Sequence, residues 1–378
     1  NLSAMEELVI SYVAMGRMDH AIKIVEEFRK VHVESYFIHT VALAKSIYEK
    51  DFDKALEYLE SEQANRSFLL TALTKAWVLA GKGEIETAIS EFDKLEEDQA
   101  LVSFAVYHKA LLYFSEGDYA FVDITLKNYL DNGGAATNRI IVLLIHALIN
   151  MNKFDEANEF LVATFGKRTP LEFRDVSNSI KQRRQFDKPL IKDAREGVGE
   201  VFLTIAQILN AEKSDENTLV FARVAEFLLK DSPEPTLLCA NILSKFEQYE
   251  LAAQTYKEIP VDSVFYQTAE IGRAEAFSQA GKKKDAINVL RKLTIERPNS
   301  ALAFQELGNE LRYFERHREA VQAYTKALNI NRDQKSKNWI LHYSRGMSLE
   351  RLDDWENAEA DFRAALNLQP NQPYVLNY

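Results

Sequence analysis

The 378-residue chain is most informative for what it lacks. It has one cysteine, Cys239, which excludes an internal disulfide framework and leaves a structural zinc site without its usual thiolates. Proline (8) and glycine (13) are too few for a low-complexity or collagen-like polymer. No apolar run approaches the 18 residues of a membrane-crossing helix. The longest, Ile140 to Ile149, is ten positions interrupted by His146 and reads as a buried core helix. Positive charge is in the minority, 46 Lys and Arg against 57 Asp and Glu, for a net charge of −11. Phosphate binding needs clustered cations, so nucleic acid and anionic membrane are poor partners.

Catalytic patterns are missing as well. The histidines (His20, His32, His39, His108, His146, His317 and His342) show no His-x-x-x-His or Glu-flanked spacing. There is no Gly-x-Gly-x-x-Gly, no Gly-x-x-x-x-Gly-Lys-Ser and no Gly-x-Ser-x-Gly. We therefore expect no catalytic residue, no cofactor and no metal. Cys239 precedes a contact alanine and reads as an inert core thiol.

What is present is a period. A small residue returns about every 34 positions, each time three residues behind a turn position that is large and apolar in most units. The pairs are Met18/Ala21, Phe52/Ala55, Ile85/Ala88, Tyr119/Val122, Phe154/Ala157, Tyr249/Ala252, Lys283/Ala286, His317/Ala320 and Trp355/Ala358. Two helices of about 13 residues and two short connections fill such a step. Self-similarity at this period marks a solenoid of helical hairpins, each burying its apolar face against its neighbours.

Each recurring residue has a physical task. Gly308 and Gly346, with Ala76, Ala110, Ala240 and Ala274 in the same place, sit where the first helix of a unit (helix A) crosses the second (helix B), so backbones can approach. The alanines of helix B do the same from the other side, and larger residues would overpack the crossing. Gly16, Gly83, Gly117 and Gly281 precede the turn residue by two, where a left-handed backbone is wanted. The turn aromatic is expected to pack beneath the next unit, and Pro298 and Pro370 to stop helix B.

Leu307-Gly308-x-x-Leu311 followed by Ala320-x-x-x-Tyr324-x-x-Ala327 resembles the helix A and helix B signatures of the tetratricopeptide repeat family. So does the next unit, with Trp339, Gly346, Leu349, Trp355, Ala358, Phe362, Ala365 and Pro370. Weaker copies run back to Val9, giving about nine units. The resemblance implies an all-α fold, a right-handed α-solenoid of TPR-like helix-turn-helix repeats, whose concave wall of helices A binds proteins or peptides. On that basis the groove residues are Trp77, Phe104 and Tyr107 in the N-terminal half. Asn241, Asn309, Arg312, Tyr313, Tyr343 and Arg351 are those of the C-terminal half. The aromatic half is expected to be filled, either by closure of the superhelix, by a preceding segment or by an amphipathic helix of a partner. The polar half suits an extended peptide. Gln305 and Ser344 stand where the family's chaperone-carboxylate clamp has lysine and asparagine, so that use is disfavoured.

The pattern lapses between Ala157 and Ala252. This predicts three regions: an N-terminal array over 1–166, a basic irregular insert over 167–198, and a C-terminal array over 199–378. The insert carries nine Lys and Arg against five acids, a local charge of +4 in an acidic chain. It reads either as a connector resting on the acidic solenoid or as a docking element with Arg183 and Arg184 as contacts.

The chain opens into a helix at about Ala4 and closes with residues resembling the start of another helix A, so both ends read as cut. Missing leader sequence therefore does not exclude an envelope location. Long, degenerate arrays of this kind resemble bacterial adaptor lipoproteins of carboxy-terminal processing proteases. That likeness implies a non-enzymatic scaffold at the periplasmic face of the outer membrane, holding a protease and its substrates. The alternative is a cytoplasmic assembly factor or regulator with a self-associating solenoid.

Overall fold

The computed structural model describes residues 2–30, 35–61, 67–166, 169–170, 173–213, 216–333 and 338–376. Lys167, Arg168 and His32 lie outside them. Among the described residues there are 22 helices and no strand. Five hairpins come first: α1 (Leu2–Ala14) with α2 (Met18–Lys30), α3 (Tyr36–Glu49) with α4 (Phe52–Leu59), α5 (Phe68–Gly81) with α6 (Ile85–Glu96), α7 (Val102–Ser115) with α8 (Tyr119–Asp131), and α9 (Asn138–Asn150) with α10 (Phe154–Phe165). A lone helix, α11 (Arg174–Gln182), precedes the hairpin α12 (Ala194–Lys213) and α13 (Glu216–Leu228). Then come α14 (Pro233–Lys245) and α15 (Tyr249–Tyr256), followed by α16 (Tyr266–Gln279) with α17 (Lys283–Glu296), α18 (Ala301–Tyr313) with α19 (His317–Asp333), α20 (Trp339–Glu350) with α21 (Trp355–Leu368), and the short α22 (Pro373–Leu376).

The nine turn positions read from the sequence are the first residues of nine B helices: Met18, Phe52, Ile85, Tyr119, Phe154, Tyr249, Lys283, His317 and Trp355. Two residues before each, the backbone is left-handed. Glycine supplies that conformation four times, as expected. Lys50, Asn152, Glu247, Glu315 and Asp353 adopt it with φ between 59° and 61°. The reason is the cap these turns share. At Gly117 the amide bonds to the Phe114 carbonyl at 3.1 Å, and the Asp118 amide reaches back to Tyr113 at 2.8 Å. This is a Schellman closure, which satisfies the last carbonyls of helix A and turns the chain at once into helix B.

Behind each turn the small residue is buried: Ala21, Ala55, Ala88, Val122, Ala157, Ala252, Ala286, Ala320 and Ala358 are all 0–2% exposed. On the facing helix, a Cβ at Gly308 would stand 2.6 Å from the Tyr324 ring, and one at Gly346 2.7 Å from Phe362. The crossings are thus closed to anything larger. Phe52 packs on the end of the next helix A, where a Cβ on Gly81 would meet its ring at 2.5 Å. Trp355 departs from this expectation and is 62% exposed. The buried run Ile140 to Ile149 is the heart of α9, as its composition demands.

Two compact units emerge, residues 1–242 and 243–378, with the boundary inside α14. The division read from the sequence followed the lapse of the repeat and marks a different property. Within 1–242, α12 begins at Ala194, five residues earlier than Gly199, because Asp193 and Glu196 form a reciprocal cap. The Glu196 amide donates to Asp193 Oδ1 at 3.1 Å, and the Lys192 amide donates to Glu196 Oε2 at 2.9 Å. From there α12 packs across α3, α5 and α7, while α13 packs against α1 and α3. Within 243–378 the hairpins stack in sequence around a core of Leu290, Leu293, Leu307, Leu311, Tyr324 and Leu341.

Two substitutions separate backbone from packing. Gly117 has φ +78° and open space around its missing Cβ, so Gly117→Ala is expected to cost about 1 kcal/mol from the left-handed backbone alone. Gly308→Leu should cost about 1–3 kcal/mol through overpacking. Its effect on hydrogen exchange should fade within a neighbouring hairpin. Uniform loss of protection across 243–378 would contradict that locality.

Candidate functional site

The expected groove is the face of the A helices turned away from their B partners. In 1–242 that face is covered by the chain itself. Trp77 is fully buried and donates its indole N–H to His108 Nδ1 at 3.1 Å. Helix α12 passes directly over it at Gly197, where any Cβ would overlap the indole ring. Tyr107 is buried and donates to Glu200 at 3.1 Å; Phe104 is half-buried. Tyr36 meets Phe221 edge-on at 6.3 Å, and Tyr48 meets Phe227 at 4.5 Å. Arg223, deeply buried on α13, donates to the Ala14 carbonyl at 3.3 Å. Lys50 pairs with Asp193 at 2.8 Å. Helices α12 and α13 are therefore the occupants of the aromatic groove.

The seam beneath α12 is ionic. Arg139 on α9 pairs with Glu200 and, at 2.9 Å, with Glu234, which also accepts from Gln207 at 2.9 Å. Burial and the nearby Glu234 raise the Glu200 carboxyl above its usual range, against the pull of Arg139. Burial, then the Glu200 charge, raises the Tyr107 hydroxyl. Burial alone lowers His146 to about 3, and burial aided by Arg139 lowers His108 to about 3. His146 stacks on Phe186 at 3.8 Å. Both imidazoles are neutral inside the fold.

The corresponding face of 243–378 is uncovered among the described residues. Leu302 and Ile340 are 45% and 43% exposed at the start of α18 and α20, and Tyr313 is 69% exposed at the end of α18. Between them lie groups already held in place. Tyr324, from the helix behind, donates to Asn309 Oδ1 at 2.9 Å and accepts from Arg312 Nε at 3.3 Å; Asn309 donates to Glu306 at 3.1 Å. Gln305 accepts from Asn338 at 3.0 Å, tying α18 to the start of α20. Tyr343 is half-buried between the rings of Trp339 and Phe362, each at 6.1 Å, and Arg351 is exposed. Asn241 is exposed on α14, inside the 1–242 unit.

Arg183 and Arg184 of the insert sit on the surface. Arg183 caps α11 and pairs with Asp155 at 2.8 Å while its guanidinium stacks over Phe154, 5.2 Å from the centroid. Arg184 pairs with Asp187 at 3.2 Å. Among the described residues, no group of three or more His, Cys, Asp or Glu is placed to hold a metal, and no helix is long and apolar enough to cross a membrane.

Residues 306–373 match a family model described as tetratricopeptide repeat. No curated protein matches the chain. Among solved structures the chain is similar to MamA, residues 41 to the end, from Desulfovibrio magneticus RS-1, at 20% identity over 46% of this chain and 96% of that one, TM-score 0.38. It is also similar to YrrB, described as a TPR protein with an unusual peptide-binding site, at 15% identity over 47% and 89%, TM-score 0.37. A thermophilic TPR protein of Thermus thermophilus, TTC0263, shares 15% identity over 47% and 95%, TM-score 0.36. The matched tetratricopeptide segment contains Asn309, Arg312, Tyr313, Tyr343 and Arg351.

Sequence reasoning missed Arg139, Gly197, Glu200 and Glu234. Two signals pointed to α12 and Gly197, and none to Arg139, Glu200 or Glu234. Asp193-x-x-Glu196 is a helix start, and glycine inside a helix is costly unless something approaches closely. The buried histidines give a sign for pH. Their folded pKa lies below the ordinary 6.5, so stability is complete above that pH and falls toward pH 3, as the unfolded chain takes up the proton. At pH 5 the loss is roughly 2 kcal/mol per histidine. His146→Leu should shrink the difference in unfolding free energy between pH 7 and pH 5 by about that amount; an unchanged difference would contradict the assignment.

Proposed function

We propose that the chain is a non-enzymatic protein-binding scaffold, and that the wall formed by α18 and α20 receives an extended segment of a partner polypeptide. The observation that carries this reading is the held array of Asn309, Arg312 and Gln305 beside exposed Leu302, Ile340 and Tyr313. Side chains fixed before binding lose little entropy on contact. Amide and guanidinium groups suit main-chain carbonyls and carboxylates, and the tyrosines and apolar residues supply contact area. Arg351 and Tyr343 extend the set of candidate contacts within 243–378, and Asn241 stays a separate candidate in 1–242. Arg183 and Arg184 remain candidates for a second, electrostatic docking point, although each already has a carboxylate partner.

A finer form of the reading is an adaptor that holds a processing protease beside its substrates in a bacterial envelope, at the outer membrane or in the periplasm. Its support is the likeness of repeat architecture. Recovery of a protease and envelope proteins with the native protein would support it. Recovery of cytoplasmic partners, or of further copies of the chain, would favour the assembly-factor alternative.

The scaffold reading is tested with peptides selected from a random library on the full chain. Arg312→Ala combined with Tyr313→Ala is expected to weaken the selected peptides at least tenfold by calorimetry, with the helical signal unchanged. Equal affinity, or failure to select any peptide, would contradict it.

A further inference from the structure

The hairpin of α12 and α13 does more than fill space. We propose that it is an exchangeable internal ligand of the groove in 1–242, and that it displays the motif by which a partner helix is read there: a small residue followed three positions later by a carboxylate. This inference concerns a different surface from the wall of α18 and α20 and stands apart from that reading.

Three observations carry it. First, the groove behind the hairpin is built as a receptor. It presents Trp77 flat enough that only a glycine on α12 fits over the ring, and beside it the phenol of Tyr107 and the guanidinium of Arg139 converge on one carboxylate, Glu200. Gly197 and Glu200 lie three residues apart on one face of α12, as a helix-in-groove ligand would place its anchors. Second, the seal carries a polar seam beside its apolar one, in which Val198, Val201 and Phe202 are buried. Glu200 is held against its own desolvation, and Lys50 with Asp193 closes the rim in partial contact with water. A buried pair of this kind contributes little net stability while enforcing which ligand fits. Third, the seat is incomplete. A cavity of about 230 Å³ remains under the start of α12, lined by Phe52, Trp77, Gly81, Leu112 and Asp193 among others. The hairpin is reached through residues 184–193, which form no helix, so it is joined by a segment that can change course without breaking helical hydrogen bonds.

A competing helix with a small residue, two intervening positions and a glutamate would reproduce each contact, and its binding would release α12 and α13 together. The groove is thereby closed to polypeptides lacking that pair of anchors.

The direct test has two arms. In the unaltered full chain, hydrogen exchange is measured helix by helix. The amides of α12 and α13 should open as one unit, at least tenfold faster than those of α5 and α7; exchange of all four only with unfolding of the whole 1–242 unit would overturn the proposal. In the second arm the probe is a labelled peptide of residues 194–213. It should bind the full chain carrying Gly197→Leu at least tenfold more tightly than the unaltered chain. The same peptide carrying Glu200→Ala should lose that gain. If the Gly197→Leu chain keeps its helical signal and binds neither peptide, the hairpin is a fixed part of the core. If that chain does not fold, the exchange measurement alone decides.

Discussion

Everything in this molecule depends on how closely two helices can cross. In nine hairpins the second helix buries a small residue, alanine in eight and valine in one, glycine or alanine stands at the crossing on the first helix in six, and the turn between the two helices holds a left-handed residue. Small side chains set the separation and the Schellman turn sets the reversal, so unit after unit repeats the same geometry. The helices then have no freedom to choose a different partner. The inner and outer faces of every unit are fixed by the same choice that packs its core.

From that constraint follow two walls of opposite fate. In 1–242 the inner face is aromatic, and leaving Trp77, Tyr107 and their neighbours in water would be costly. The chain covers them with its own hairpin, and Gly197 permits the contact where any other residue would obstruct it. In 243–378 the inner face is mixed, with amide and guanidinium groups braced from behind by Tyr324, and it tolerates water. Composition of the wall, with the backbone geometry held constant, decides which surface is structural and which is open.

Much of this was legible in the residues. The nine B helices begin at the residues the period picks out, and the contact alanines and glycines are buried as their size requires. Local rules suffice there because each unit meets only its neighbours. The lapse after Ala157 was also visible, but its meaning was not. Helix α12 contacts α3, α5 and α7, all several units back along the chain, and no period announces a pairing at that distance. Its cap at Asp193 and Glu196 was readable and would have placed the helix start; its destination depended on the match between Gly197 and Trp77, a property of two surfaces. Trp355 shows the converse. It has the same position as Phe52, whose ring packs on Gly81, yet it is exposed, so the shared position does not by itself fix burial.

Solvent access to the two walls is the quantity that matters most, and hydroxyl-radical footprinting of the folded full chain reads it residue by residue. Trp77 and Tyr107 should be protected while Tyr313, on the equivalent face of 243–378, is oxidised rapidly. Oxidation of Trp77 at a rate matching Tyr313 would mean that the N-terminal groove stands open, and that α12 and α13 do not fill it.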